Sequence, residues 1–403
     1  MNHWLQKTPA LLLSAGMLCA ASWSVRLAYA DFLVRGDSPA QIMRAIRLAP
    51  GNAAWWLRFS ELADPDAVAF ATQASPHNAS LWIRAGLRAE AAGDRERAEQ
   101  DLLRAAGASR QYQPRWTLAN FYFRANDPER FWPWMKTALE WAPGDRMPLF
   151  RLCWKMNQDP AIVLARGIPD SSRVLREYLL FLVGTARLDA SQPVAARLLG
   201  QASSADRPLL LAYTSRMLEA RQWQPALSAW NTLCRRHVLP YTPLDAAHGS
   251  VVTNGDFQSE PLNAGFDWRP LAVDGIVTGL RANPSAFQIV FSGGQPESSA
   301  SLSQVVPVAP GARYRFRCAY QTEGIAPENG LRWRIEDMGT GAEIASLPLN
   351  DAVPQEALAG SITFTVPPAA SLVRLVLACR RPLGTTRIEG TLRLRHVALE
   401  PAP

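Results

Sequence analysis

The chain has 403 residues, 48% of them hydrophobic, and carries 42 Lys plus Arg against 35 Asp plus Glu, a formal net charge of +7. That much apolar material can bury more than one core, so two or three domains are expected. The positive excess lies before Val251; from there onward, 13 Arg, no Lys and 14 acidic residues leave a slightly negative balance. Lys occurs only at positions 7, 136 and 155, and no block of five or more like charges is present. The excess therefore reads as Arg-rich composition, not a nucleic-acid-binding stripe, and no nucleic acid partner is expected.

Lys7 precedes an uncharged, mostly apolar run from Thr8 to Val25, closed by Arg26, and Ala28-Tyr29-Ala30 offers a small-x-small cleavage site before Asp31. Basic start, apolar centre and small-residue site are the order of a secretory signal peptide. The run is also long enough for a tilted membrane span. Residues 1–30 are therefore a signal peptide or a membrane anchor, and the body is exported in both cases. Cys19 follows Leu18, not a small residue, which argues against lipoprotein processing.

An amphipathic segment from Pro39 to Leu48 ends at Pro50-Gly51-Asn52, a helix stop followed by a new start. Trp82, Trp116 and Phe150 then recur every 34 residues, each opening an apolar-periodic stretch. A period of that length belongs to a two-helix unit that must stack on copies of itself. From Asn78 to about Gln113, Trp82, Ala85, Gly86 and Ala89 line one helix. Gly93-Asp94 makes the turn, and Ala98, Leu102 and Ala105 line the second helix. The small residues Gly86 and Ala98 are expected where the paired helices come close. The next unit repeats the pattern with Trp116, Ala119, Phe123 and Ala138, with Asn120 at the Gly86 position. These residues resemble the tetratricopeptide repeat, most closely over 78–144 and more loosely over 39–77 and 145–235. Tyr178–Leu199 and Leu209–Leu233 read as further helical hairpins. The resemblance implies an all-α solenoid over 31–238 that holds a protein partner. Aromatics are dense between Tyr112 and Trp141 and belong either to the inter-repeat core or to a partner surface. Phe131-Trp132-Pro133-Trp134 cannot all face inward on one helix, because neighbours point about 100° apart, so Phe131, Trp132 and Trp134 are candidate partner-binding residues.

A Pro-rich joint over 239–250 has no helical period. Beyond it the texture changes to short alternating strands. Tyr314, Phe316, Cys318 and Tyr320 face one way while Arg313, Arg315 and Arg317 face the other; Leu331, Trp333 and Ile335 oppose Arg332, Arg334 and Glu336. One core face and one wet face per strand predict an all-β sandwich over 251–403. The opening Asn254-Gly255-Asp256-Phe257 and Gly265-Phe266-Asp267-Trp268-Arg269, the Pro310-Gly311 turn and the closing strand from Leu392 to Leu399 resemble jelly-roll carbohydrate-binding modules. That closing strand lacks the acidic residue such modules often carry, so a structural calcium ion is not expected.

Three segments supply candidate carbohydrate-binding residues: Asp267, Trp268 and Arg269; Gln295 and Glu297; Arg381 and Arg387. Sugar recognition needs planar bidentate groups for vicinal hydroxyls plus an aromatic platform, and these residue types supply both. Trp268, in a turn-like segment, is the expected platform, and Trp333 is expected in the core. Glu297, Arg387 and Glu389 are equally readable as a structural ion-pair network. Cys318 and Cys379 are either a bridged pair or two buried small hydrophobes. No CxxC, HExxH, GxSxG, P-loop or dinucleotide fingerprint occurs, and no carboxylate pair stands out, so no metal, cofactor or catalytic residue is expected.

The expected protein is an exported, membrane-tethered, non-catalytic adaptor. Its repeats bind a protein and its sandwich a polysaccharide, at the periplasmic face of the bacterial inner membrane or in the periplasm, a setting the two resemblances suggest for envelope or exopolysaccharide assembly. The alternatives are a structural interaction scaffold without a glycan ligand and an unrecognised polysaccharide-active enzyme.

Overall fold

The structure, a computed structural model, describes residues 8–349 and 358–402. Helices fill the first part and antiparallel strands the second. The chain divides into two compact units after Leu175.

The first unit is a series of helices joined by short turns. They are α1 (Thr8–Val34), α2 (Pro39–Leu48), α3 (Ala53–Leu62), α4 (Val68–Ala74), α5 (Ala79–Ala91), α6 (Arg95–Ala108), α7 (Tyr112–Arg124), α8 (Pro128–Trp141), α9 (Met147–Met156) and α10 (Pro160–Ile162), the last running into a π-helical turn at Val163–Gly167. The starts are written in the sequence. Asn52, Asn78, Asp94, Asp127 and Asp159 each accept a backbone N–H in the first turn of the helix they precede, satisfying donors that the helix cannot satisfy itself. One turn contact occurs twice: Trp56 and Trp82 donate their indole N–H to the carbonyls of Pro50 and Pro76, each at 2.8 Å. α5 packs on α6 and α7 on α8 as antiparallel pairs, with Ala98, Leu102, Ala105, Leu118 and Ala119 fully buried. A Cβ on Gly86 would lie 2.7 Å from Leu102 Cγ, so the close approach expected there is present. Successive pairs are also clasped by Arg124, whose guanidinium makes two bonds, 2.8 and 2.7 Å, to the carboxylate of Glu90, 34 residues earlier.

α11 (Ser172–Gly184), whose first turn precedes the boundary, leads into α12 (Leu188–Gly200), and α13 (Arg207–Glu219) into α14 (Trp223–Arg235). The strands are β1 (Arg269–Pro270), β2 (Ile276–Ala282), β3 (Ser285–Ser292), β4 (Ser298–Pro307), β5 (Arg313–Glu323), β6 (Leu331–Asp337), β7 (Glu343–Pro348), β8 (Leu358–Thr365), β9 (Leu372–Arg380) and β10 (Glu389–Pro401). They form two antiparallel five-stranded sheets, in the orders β1-β4-β9-β6-β7 and β2-β3-β10-β5-β8. The predicted alternation holds: Tyr314, Phe316, Cys318, Tyr320, Leu331, Trp333 and Ile335 lie in one core between the sheets. Cys318 and Cys379 are both buried and free, so the bridged alternative does not apply. Pro310-Gly311 makes the turn before β5, with Gly311 at φ 74° and the Ala312 N–H donating to Ala309 O.

The joint between the last helix and the first strand is fastened on both sides. Asn231 of α14 exchanges two hydrogen bonds with the Leu244 backbone. The Tyr241 ring stacks on Trp230, and its hydroxyl donates to Asp267 at 3.0 Å. Further along, Ser215 of α13 accepts from the Gly265 N–H at 2.9 Å, and Arg221 donates to Gly339 O in the β6–β7 turn at 3.1 Å. The last helical hairpin is thus built into the sandwich. On β4 and β9 the side facing away from the core is also buried, with Val305 at 1% and Val376 at 4% exposure. Because the hairpin bonds to Gly265, just before β1, and to Gly339, just after β6, it spans β4 and β9 on this side of the sheet.

Candidate functional site

The segment 254–269 is a structural clasp. The backbone at Gly255 runs so close to β10 that a Cβ would meet Val397 O at 2.2 Å, and the Val397 N–H donates back to Gly255 O. Asn254 bonds both ways to Ser259 and takes the positive φ that Asn tolerates. Asp267 is fully buried and accepts from Leu262 N–H, Trp268 N–H and the Tyr241 hydroxyl. Burial pushes its carboxyl above the ordinary range, against the pull of those three donors and Arg269. Burial holds the Arg269 guanidinium below its ordinary pKa, and Arg269 donates to Gly265 O at 2.9 Å.

Trp268 corrects the expectation of an exposed sugar platform. It is 0% exposed, its indole donates to Asn254 O, and its ring packs against Phe257 and Trp333. Its polar neighbours do not bring it to the surface because both are themselves turned inward and satisfied there. Asp267 fails as a hydroxyl-binding carboxylate for the same reason.

Gln295, Glu297 and Arg381 come together beyond the ends of β3 and β9. Gln295 is also buried; it donates to Ile388 O at 2.7 Å while its own Oε1 has no hydrogen-bond partner. Glu297 and Arg381 form an exposed ion pair at 2.5 Å, and Arg381 also holds Thr385 O. Arg387 is exposed in the same connection. This group is not joined to Arg269, which pairs with Ser303, well along β4 from Ser298.

The outer face of the β2-β3-β10-β5-β8 sheet is open and polar. Across it Gly279, Gln288, Arg393 and Gln321 stand in register, as do Glu400, Arg315 and Thr363, and Arg317 with Ser361. A bulge between Leu394 and His396 turns Arg395 onto this face, where it donates to Gln321 Oε1 at 3.0 Å. Arg393 donates to Glu323 at 2.5 Å and Arg317 to Glu400 at 2.6 Å. The Nε–H groups of Arg393 and Arg395 are buried and unpartnered. Among the described residues no Phe, Tyr or Trp ring lies here, and the one aromatic ring on the face is the exposed imidazole of His396. Every Phe, Tyr and Trp side chain of the sandwich, from Phe257 to Phe364, is buried. Such a face can hydrogen-bond hydroxyls and carboxylates but cannot stack on a sugar. The alternation of Arg, Gln and Thr was visible in the sequence as the wet face of each strand; which strands lie side by side was not.

In the helical half, Phe131 and Trp132 are core residues, 0% and 2% exposed, which corrects their assignment as partner-binding. The Trp132 ring fills the space over Gly167, where a Cβ would come within 2.7 Å of it. The inference that the four residues cannot all be buried holds, since Pro133 is exposed and Trp134 is half-buried. A more open aromatic surface lies elsewhere: a groove of about 550 Å³ lined by Arg110, Gln111, Tyr112, Gln113, Trp141 and Pro143. Trp141 is 45% exposed there, with the Arg115 guanidinium 4.8 Å from its ring centre.

The fold defines the class: a region of helical hairpins followed by a sandwich of two antiparallel five-stranded sheets. No protein-family model matches the chain, and no curated protein does. Among solved structures, the chain is similar to a family 4 carbohydrate-binding module at 15% identity, covering 38% of this chain and 99% of the module with a TM-score of 0.30. A family 61 module in complex with beta-1,4-galactotriose gives 15% identity, 38% and 99% coverage and a TM-score of 0.28. YrrB, a tetratricopeptide-repeat protein with an unusual peptide-binding site, gives 13% identity, 50% and 94% coverage and a TM-score of 0.24.

Proposed function

We propose that the protein is an exported, membrane-tethered adaptor without catalytic activity, in which the repeats hold a protein partner and the sandwich holds a polysaccharide during bacterial envelope or exopolysaccharide assembly. The observation that carries the glycan reading is the open face of the β2-β3-β10-β5-β8 sheet, with its guanidinium, amide and hydroxyl groups in register. Without an aromatic platform, the ligand is gripped by hydrogen bonds and charge. Arg outnumbers Glu on this face, which favours a polysaccharide bearing carboxylates. The partner surface proposed on the repeats is the Trp141 groove, where a half-exposed ring and flanking amides suit a peptide segment.

The test is a panel of neutral and acidic polysaccharides titrated against the full chain in detergent. Saturable binding of acidic members, weakened by salt, supports the reading. Binding of none by folded protein would favour the structural scaffold, a second reading that the burial of every sandwich aromatic ring also supports.

A further inference from the structure

The reading of the chain as exported leaves open whether the N-terminal segment is cut off afterwards. We propose that it is retained: α1 is one continuous helix that crosses the lipid bilayer with Thr8–Val25 and, beyond it, supplies the first packing layer of the repeats. This rests on the reading of the chain as exported.

Three observations converge. The helix runs unbroken from Thr8 to Val34, so Ala28-Tyr29-Ala30 lies inside it, where the extended backbone that a processing peptidase must grip is absent. Ala30 is 0% and Leu33 8% exposed, packed in one cluster with Ile42, Ala45, Ile46, Ala49 and Trp55, with Leu27 against its edge. Cutting after Ala30 would remove Leu27 and Ala30 from that cluster and leave α2 and α3 with an open apolar side. The remainder of the helix is the reverse: Leu13, Met17, Leu18 and Val25 are between 63% and 71% exposed.

The dimensions fit one occupant. Residues 8–25 span about 27 Å at 1.5 Å per residue, close to the roughly 30 Å of a bilayer's hydrocarbon core. Where the apolar run ends, the Arg26 guanidinium lies 5.4 Å from the Trp23 ring centre, and Tyr29 and Phe32 follow on the exposed surface. Aromatic and basic side chains at that depth are what anchors a helix at the headgroup level. No flexible linker separates the membrane from the repeats, so the first hairpin stands at the bilayer surface.

The test uses the full chain with a C-terminal affinity tag in a bacterial host. Intact mass should give one species that keeps residues 8–30, extracted from membranes by detergent but not by alkaline carbonate. A species beginning at Asp31, or release by carbonate, would overturn the proposal. Export is read separately by alkaline phosphatase fused after residue 40. An inactive fusion sinks the export reading itself, whereas an active fusion with a mass beginning at Asp31 leaves export standing and sinks the retained, membrane-crossing helix. Ala30→Phe should open the α1–α2 contact and speed proteolysis between residues 35 and 53 several-fold without changing membrane extraction. Unchanged cutting would contradict the shared core.

Discussion

At Gly86 and Gly167 the absence of one methyl group decides whether neighbouring groups can meet. The first admits Leu102 against α5; the second admits the Trp132 ring. Gly86→Val should therefore cost about 1–3 kcal/mol by overpacking, measured by denaturant unfolding. The Gly86 role was readable from the repeat pattern. The Gly167 role was not, because the ring it accommodates comes from a helix more than thirty residues earlier. Trp268 teaches a related lesson. Polar neighbours in sequence suggested exposure, yet Asp267 and Arg269 bond inward to Tyr241 and Gly265. Trp268→Ala should behave like Trp333→Ala and cost about 3–5 kcal/mol of stability, read from the unfolding midpoint. A variant of full stability would restore the surface assignment. Asp206 sets a pH dependence. Burial raises its carboxyl pKa, but bonds from Arg176 and Ser203 outweigh that and leave it lowered. The stability it contributes is thus present above the ordinary carboxylate range and lost as pH falls through its folded value. Asp206→Asn should lower stability at pH 7 and flatten the acid limb below about pH 4, checked by urea unfolding across that range.

Among elements, the α13–α14 hairpin matters most. Asn and Asp caps and the Pro-Gly turn fix local starts and stops, so those boundaries were legible from sequence. The docking of a hairpin on a sheet is not a local property. One trace of it was present: Val305-Val306-Pro307-Val308 and Leu375-Val376-Leu377-Ala378 are continuous apolar runs, the mark of a strand covered on both faces. The Pro-rich joint, read as a linker, is held by Asn231, Tyr241 and Asp267. Limited proteolysis should accordingly leave a fragment that keeps α13, α14 and the sandwich together. A fragment of residues 251–403 should bind a hydrophobic dye more strongly than one of residues 176–403, having lost the cover over Val305 and Val376. Equal dye binding would mean the hairpin is dispensable.

For the whole molecule, the two periodicities, 34 residues and two, were enough to give a helical solenoid followed by a sandwich. They could not give the proposed site, because the sheet face is assembled from residues between Val277 and Glu400 whose neighbours are set by strand order alone. The central claim is that this face, and not an aromatic platform, holds a polysaccharide. It is tested most directly by the affinity of the full chain for an acidic polysaccharide, compared between the native protein and a variant carrying Arg393→Ala and Arg395→Ala. Charge-assisted hydrogen bonds contribute about 1.5–3 kcal/mol each, so affinity should fall by about ten-fold or more with the unfolding midpoint nearly unchanged. Equal affinity in the two proteins would contradict the account.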